Sequence, residues 1–120
     1  MPAPLKVYAY SGCDTCRRAL RFLQEHHLEH EVVPIREQPP TADELRRVLA
    51  DLGGDLRRLF NTSGRDYRDL GLGPRLKSLS PDEAIDLLSR NGNLVKRPCV
   101  VTATGGLTGF QEDVWRQRFL

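Results

Sequence analysis

An α/β fold built on one mixed sheet is what the sequence predicts, and three observations predict it. Leu5–Ala9, a charged amphipathic stretch ending near His26, and Glu29–Ile35 follow one another closely enough to form a βαβ unit. From Asp55 to about Asn91 the chain reads as helical with no good strand. Cys99–Thr102 and Leu107–Phe110 flank Gly105-Gly106 as a hairpin, and one more helix follows.

Leu5–Ala9 is rich in β-formers with Lys6 its only charge, as a buried parallel strand should be. The first helix is expected from Thr15 or Cys16 to His26. Its apolar stripe is Cys16, Ala19, Leu20 and Leu23, with Phe22 to one side and Arg17, Arg18 and Arg21 outward. Pro34 helps to end the second strand. Thr41 with Glu44 three residues later is a capping box, and the helix it opens buries Leu45, Val48, Leu49 and Leu52 before stopping at Gly53-Gly54. Leu56, Leu59 and Phe60 form an apolar turn; Asn61-Thr62-Ser63-Gly64 interrupts it, and Tyr67, Leu70 and Leu72 resume. Ser80-Pro81-Asp82-Glu83 starts another helix, which packs Ala84, Ile85, Leu87 and Leu88 and ends near Gly92. The last helix is expected to bury Val114, Trp115, Phe119 and Leu120. The order βαβ, helical block, ββα is a thioredoxin-like arrangement in one domain, residues 1–120, with a helical insertion at about 41–92 between its halves.

Composition narrows the partners. Lys and Arg total 18 against 16 Asp and Glu, a net charge of +2 that makes no bulk case for nucleic acid. Met1-Pro2-Ala3-Pro4 lacks the features of a secretory leader, and no apolar run approaches the roughly 20 residues a membrane span needs. A cytoplasmic monomer is expected. In a reducing compartment three cysteines, two of them close together, read as redox chemistry, metal binding or chance rather than a disulfide framework.

Cys13 stands where the first strand turns into the first helix. A sulfur there meets unpaired N–H groups and the positive end of the helix dipole, which favour thiolate over thiol. Cys13-x-x-Cys16 at such a turn is a redox signature, with the first sulfur exposed and the second behind it. Zinc would want two further ligands at short spacing; Cys99 is available, but His26, His27 and His30 fall at the far end of the helix, so no metal is expected. Cys16 also fits as a small core residue, and Cys99 as a buried strand residue. Arg97-Pro98 precedes the third strand, where a thioredoxin-like fold places a cis proline beside the first cysteine. Arg97 then faces the site, able to stabilise a thiolate or to fork onto an oxyanion. Asn61 is either turn chemistry or a polar lip over the site. Gly12, Pro98 and Asn61 are taken as substrate-binding positions.

With those residues placed, the chain resembles the family that joins glutaredoxin-coupled arsenate reductases, the transcription regulator Spx and a group of small thiol reductases. The resemblance rests on Tyr8 through Cys16, Pro40-Thr41-x-x-Glu44-Leu45, Leu59 through Gly64 with Tyr67 and Leu70-Gly71-Leu72, Leu94 through Pro98, and Gly109-Phe110. It implies a thioredoxin-like fold, Cys13 as nucleophile and Arg97 as its oxyanion or thiolate partner. Arsenate reductases of this type pair one cysteine with three arginines; the other two positions here fall at Asn61 and near Gly109, leaving Arg97. Cys16 points instead toward members in which a C-x-x-C pair is a redox switch. The expectation is a thiol/disulfide oxidoreductase with Cys13, Cys16 and Arg97 catalytic. It has no bound cofactor and draws electrons from glutathione, glutaredoxin or thioredoxin. Two alternatives stand beside it: a glutathione- and glutaredoxin-dependent arsenate reductase, and a regulator binding the α C-terminal domain of RNA polymerase.

Overall fold

Strand order β2-β1-β3-β4 gives a single four-stranded sheet, formed by β1 (Leu5–Ala9), β2 (His30–Pro34), β3 (Cys99–Val101) and β4 (Gly106–Thr108). In this computed structural model residues 4–120 are described; the reading of the N-terminus as leaderless falls partly on residues 1–3, outside them. β1 pairs in parallel with β2, placing Tyr8 beside Val33, and antiparallel with β3, placing Tyr8 beside Cys99. β3 and β4 close the antiparallel hairpin. α1 (Asp14–Glu25) makes the crossover from β1 to β2, and α6 (Glu112–Phe119) ends the chain. Between β2 and β3 lie α2 (Ala42–Asp51), α3 (Arg65–Asp69), α4 (Leu72–Arg75) and α5 (Pro81–Arg90). The mixed sheet with helices between its halves is the thioredoxin-like arrangement the element order predicts.

Because strand side chains alternate, β1 feeds two cores. Val7 and Ala9 join Cys16, Ala19, Phe22, Leu23, Val100 and Trp115 on the α1 and α6 face. Tyr8 joins Val33, Cys99 and the apolar faces of α2 and α5 on the other. Several expectations need correction. Phe22 is buried on the α1 face while Leu20 is half-buried, because Trp115 meets Phe22 edge-on at 5.9 Å between ring centroids and rotates the packed stripe toward it. On α6 only Trp115 is fully buried; Val114 and Leu120 are exposed, since a short terminal helix packs with one face. Leu70 is exposed and Leu87 half-buried. β4 begins at Gly106, and Phe110 lies past its end. The block from 55 to 91 is broken into short helices and 3₁₀ turns, and Phe60 within it forms an isolated bridge with Val95. α5 ends at Arg90, so Gly92 serves a different purpose from stopping it: a Cβ there would lie 1.8 Å from the Ile35 carbonyl oxygen.

Glu44 locks β1 to α2. Its carboxylate closes the capping box by accepting the Thr41 N–H at 3.0 Å, and it accepts Tyr8 Oη–H at 2.6 Å and Lys6 Nζ–H at 3.1 Å. Burial alone would raise its pKa, but the bonds from Tyr8, Thr41 and Lys6 outweigh burial and hold it below the ordinary 4.5. With the folded-state pKa depressed, the stabilisation is complete above that ordinary value and is lost as pH falls through the lowered one. Glu44→Ala is expected to cost about 2–4 kcal/mol at neutral pH, from a lost cap and a lost charge-assisted bond to a buried hydroxyl. Urea titrations at pH 7 and pH 4 check both: the difference between variant and wild type should shrink in acid.

Candidate active site

Cys13 caps α1. Its backbone is extended (φ −105°, ψ 116°), and Sγ accepts the Cys16 N–H at 3.2 Å, an N-cap bond that serine or asparagine oxygens usually make. The Cys13 N–H in turn donates to the Tyr10 carbonyl at 3.1 Å, closing the turn out of β1. α1 therefore begins at Asp14, a residue or two earlier than its apolar stripe suggests. Cys16 sits one turn on, 1% exposed, facing the α1 core. Burial chiefly, then the hydrogen bond and charge of Cys13, push its thiol up to about 12, with a backbone hydrogen bond at Tyr10 and, less, the Arg97 charge pulling the other way. Cys99 is fully buried, and burial pushes its thiol to about 12 as well. It lies on the opposite face of the sheet from Cys16, in the core of α2 and α5, so the sheet separates it from the pair.

Three segments are stitched together around the exposed side of Cys13. Asn61 N–H donates to the Leu94 carbonyl at 2.7 Å and Lys96 N–H to the Leu59 carbonyl at 2.8 Å, extending the Phe60–Val95 bridge. The Arg97–Pro98 bond is cis, and the Pro98 carbonyl accepts the Gly109 N–H at 2.9 Å. Gly109 takes a left-handed φ of 73°, and its carbonyl accepts the buried Trp115 indole N–H at 3.1 Å. Thr108 Oγ1–H donates to the Arg58 carbonyl at 2.6 Å.

The stitching leaves an open cleft of roughly 640 Å³ in front of Cys13, whose lining carries, among the described residues, Arg18, Arg57, Arg58, Lys96 and Arg97 and no carboxylate. Among the described residues these five cations make no ion pair, whereas Arg17, Arg46, Arg90, Arg116 and Arg118 all do. Like charges gathered without counter-charges raise the local potential and draw anions in. A second cleft, about 420 Å³, shares Asn61 and Arg97 with the first and adds Arg36, Arg65, Asp66 and Asn93.

Of the residues expected at the site, Cys13, Asn61 and Arg97 line one cleft. Cys16 lies behind Cys13, and Gly12 and Pro98 shape the backbone without lining the cleft. Sequence reasoning misses Arg57, Arg58 and Lys96 as site residues. An adjacent arginine pair beside an apolar turn reads as solvated surface, and only the 3₁₀ turn Leu56–Arg58 with the Thr108–Arg58 bond brings it to Cys13. Arg18, expected on a solvated face, borders the cleft too.

The sequence model of the ArsC family matches residues 8–118. YusI, an uncharacterised protein of Bacillus subtilis, is 40% identical over 115 residues, 96% of this chain and 98% of its own. An arsenate reductase of Escherichia coli K12 is 32% identical over 101 residues, 84% of this chain and 70% of its own. Among solved structures, one described as a possible arsenate reductase from Streptococcus mutans superposes with a TM-score of 0.89 at 38% identity, covering 98% of this chain and 99% of that one.

Proposed function

The chain belongs to the ArsC family, and from that membership we propose a thiol/disulfide oxidoreductase in which Cys13 attacks and Cys16 resolves. The single observation that carries this reading is the Cys13–Cys16 contact: a half-buried sulfur that caps α1 and lines the cleft, with a second, buried cysteine one turn behind it. In the first step the Cys13 thiolate attacks one sulfur of a substrate disulfide, forming a mixed disulfide and expelling the other half as a thiolate. In the second, Cys16 gives up its proton and attacks Cys13 Sγ, releasing the remaining half and leaving the Cys13–Cys16 disulfide. Two electrons have passed to the substrate, and an external thiol such as glutathione, glutaredoxin or thioredoxin restores the pair. The Arg97 guanidinium stabilises the attacking and departing thiolates by charge.

A second reading, arsenate reduction, is favoured by the cleft itself. Arg97 has company from Arg18, Arg57, Arg58 and Lys96, more positive charge than the sequence pattern assigns to a divalent oxyanion here. Cys13 would bond arsenic with loss of water; two thiols would then end as a disulfide while arsenate, gaining two electrons, leaves as arsenite.

Purified protein assayed with a disulfide substrate and, separately, with arsenate plus glutathione and glutaredoxin distinguishes them. Disulfide turnover with background arsenate turnover supports the first reading; the reverse overturns it. In either assay, kcat/KM for an anionic substrate should fall severalfold between low and about 0.3 M salt while that for a neutral disulfide holds, since salt screens the cleft. Equal salt responses would show that the unpaired cations do not act on substrate. The family's polymerase-binding members supply a third role, tested by pull-down with the isolated α C-terminal domain of RNA polymerase in oxidised and reduced states.

A further inference from the structure

Between β1 and α1 the chain turns through Tyr10, Ser11 and Gly12, and the Tyr10 ring folds back over that turn. A Cβ on Gly12 would lie 2.6 Å from Tyr10 Cε2, so the ring occupies the space any side chain there would need. The Tyr10 carbonyl holds the Cys13 N–H. Two guanidinium groups lie over the ring: Arg36 with its central carbon 3.7 Å from the centroid, and Arg97 at 5.2 Å. One side chain thus touches the loop that presents Cys13 and the cation that shares its cleft.

Among the described residues Arg97 makes no ion pair, and on its long stem it would otherwise sample many rotamers among neighbouring positive charges. A carboxylate could hold it still, but would cancel the charge that a thiolate or an oxyanion needs. An aromatic face attracts a guanidinium through its quadrupole and leaves the net charge in place. We propose that Tyr10 is a positioning residue for the chemistry at Cys13: its ring seats Arg97 at the cleft wall with its full charge turned to the reacting sulfur. The inference rests on the reading of Cys13 as the nucleophile.

The test is the ratio of Cys13 alkylation rates with iodoacetate, an anion, and iodoacetamide, its neutral counterpart, located by peptide mapping. Arg97→Gln should lower the ratio. Tyr10→Leu should lower it by about two- to fivefold, the span of an exposed cation–π contact, with the iodoacetamide rate within about twofold of wild type. Tyr10→Phe should leave the ratio unchanged. Tyr10→Leu combined with Arg97→Gln should fall no further than Arg97→Gln alone. Should Tyr10→Leu not fold, phenylalanine analogues of increasing fluorination at that position keep the ring's shape and weaken its negative face; the ratio should then decline stepwise. A purely structural Tyr10 would shift both reagents together. An unchanged ratio in Tyr10→Leu or across the fluorinated series, or a double variant falling by the product of the single effects, would overturn the proposal while leaving Cys13 as nucleophile. Alkylation at a residue other than Cys13 would overturn that reading, and this inference with it.

Discussion

Cys13→Ser should reduce turnover by roughly 10³-fold or more while leaving the fold intact, and the N-cap geometry explains why both halves hold together. Cys13 has two tasks, capping α1 through Sγ and supplying the nucleophile. Serine performs the first well, its hydroxyl being a preferred acceptor for the N–H groups of a helix's first turn, and cannot perform the second, since the cleft lining holds, among the described residues, neither histidine nor carboxylate to serve as its general base. Cys13→Ala lacks both, so it should lose the same activity and about 1 kcal/mol of stability besides. Parallel denaturation curves and disulfide-reduction assays check the pair of variants. If Cys13→Ser retained a tenth of wild-type turnover, the nucleophile would have to be sought elsewhere.

How far the sequence discloses this site depends on what kind of signal each part sends. β1, the turn and α1 are written in local chemistry: β-formers, then a break, then an apolar stripe, with Cys13 at the joint. The capping box at Thr41–Glu44 and the helix start at Ser80-Pro81 are equally local, and both form as read; at Ser80 the structure adds a reciprocal bond from the Ser80 N–H to the Glu83 carboxylate. The cation set is legible only in part, because Arg57, Arg58 and Lys96 come to Cys13 through long-range backbone bonds that no spacing rule encodes. Tyr10 is hidden for a similar reason: next to a β-strand, a tyrosine reads as packing, and its contacts with Arg36 and Arg97 require the β2 end and the cis-proline loop to converge. Exposure at the C-terminus departs from its pattern because three apolar residues in a short helix, with Leu120 just past its end, suggest a face, while Trp115 alone is buried fully.

Cys16→Ser should convert a fast dithiol cycle into a stalled one, with a mixed disulfide accumulating on Cys13, and pH should reveal the step that has been lost. In the resting protein the Cys16 thiol is pushed up to about 12 by burial and by Cys13, so near neutrality it is almost wholly protonated. Attack on Cys13 requires the thiolate. Once Cys13 is in a mixed disulfide, the share of the shift that Cys13 contributes ends; burial, the larger cause, remains. The resolving rate of the wild type should therefore climb about tenfold per pH unit through neutrality and above, following the rising thiolate fraction. Cys16→Ala, which keeps the buried site apolar, should trap the same adduct as Cys16→Ser, separating loss of the thiol from the cost of a buried hydroxyl. Cys99 offers no bypass, since it faces the core of α2 and α5 across the sheet. Stopped-flow release of a chromophoric thiol, with intact mass of acid-quenched samples, reads both phases. The expected masses are a loss of two hydrogens in the wild type and one retained substrate thiol in the Cys16 variants. A pH-independent second phase, or Cys16→Ser turning over at the wild-type rate with glutathione as sole reductant, would transfer resolution from Cys16 to the external thiol and make the chemistry that of a single cysteine.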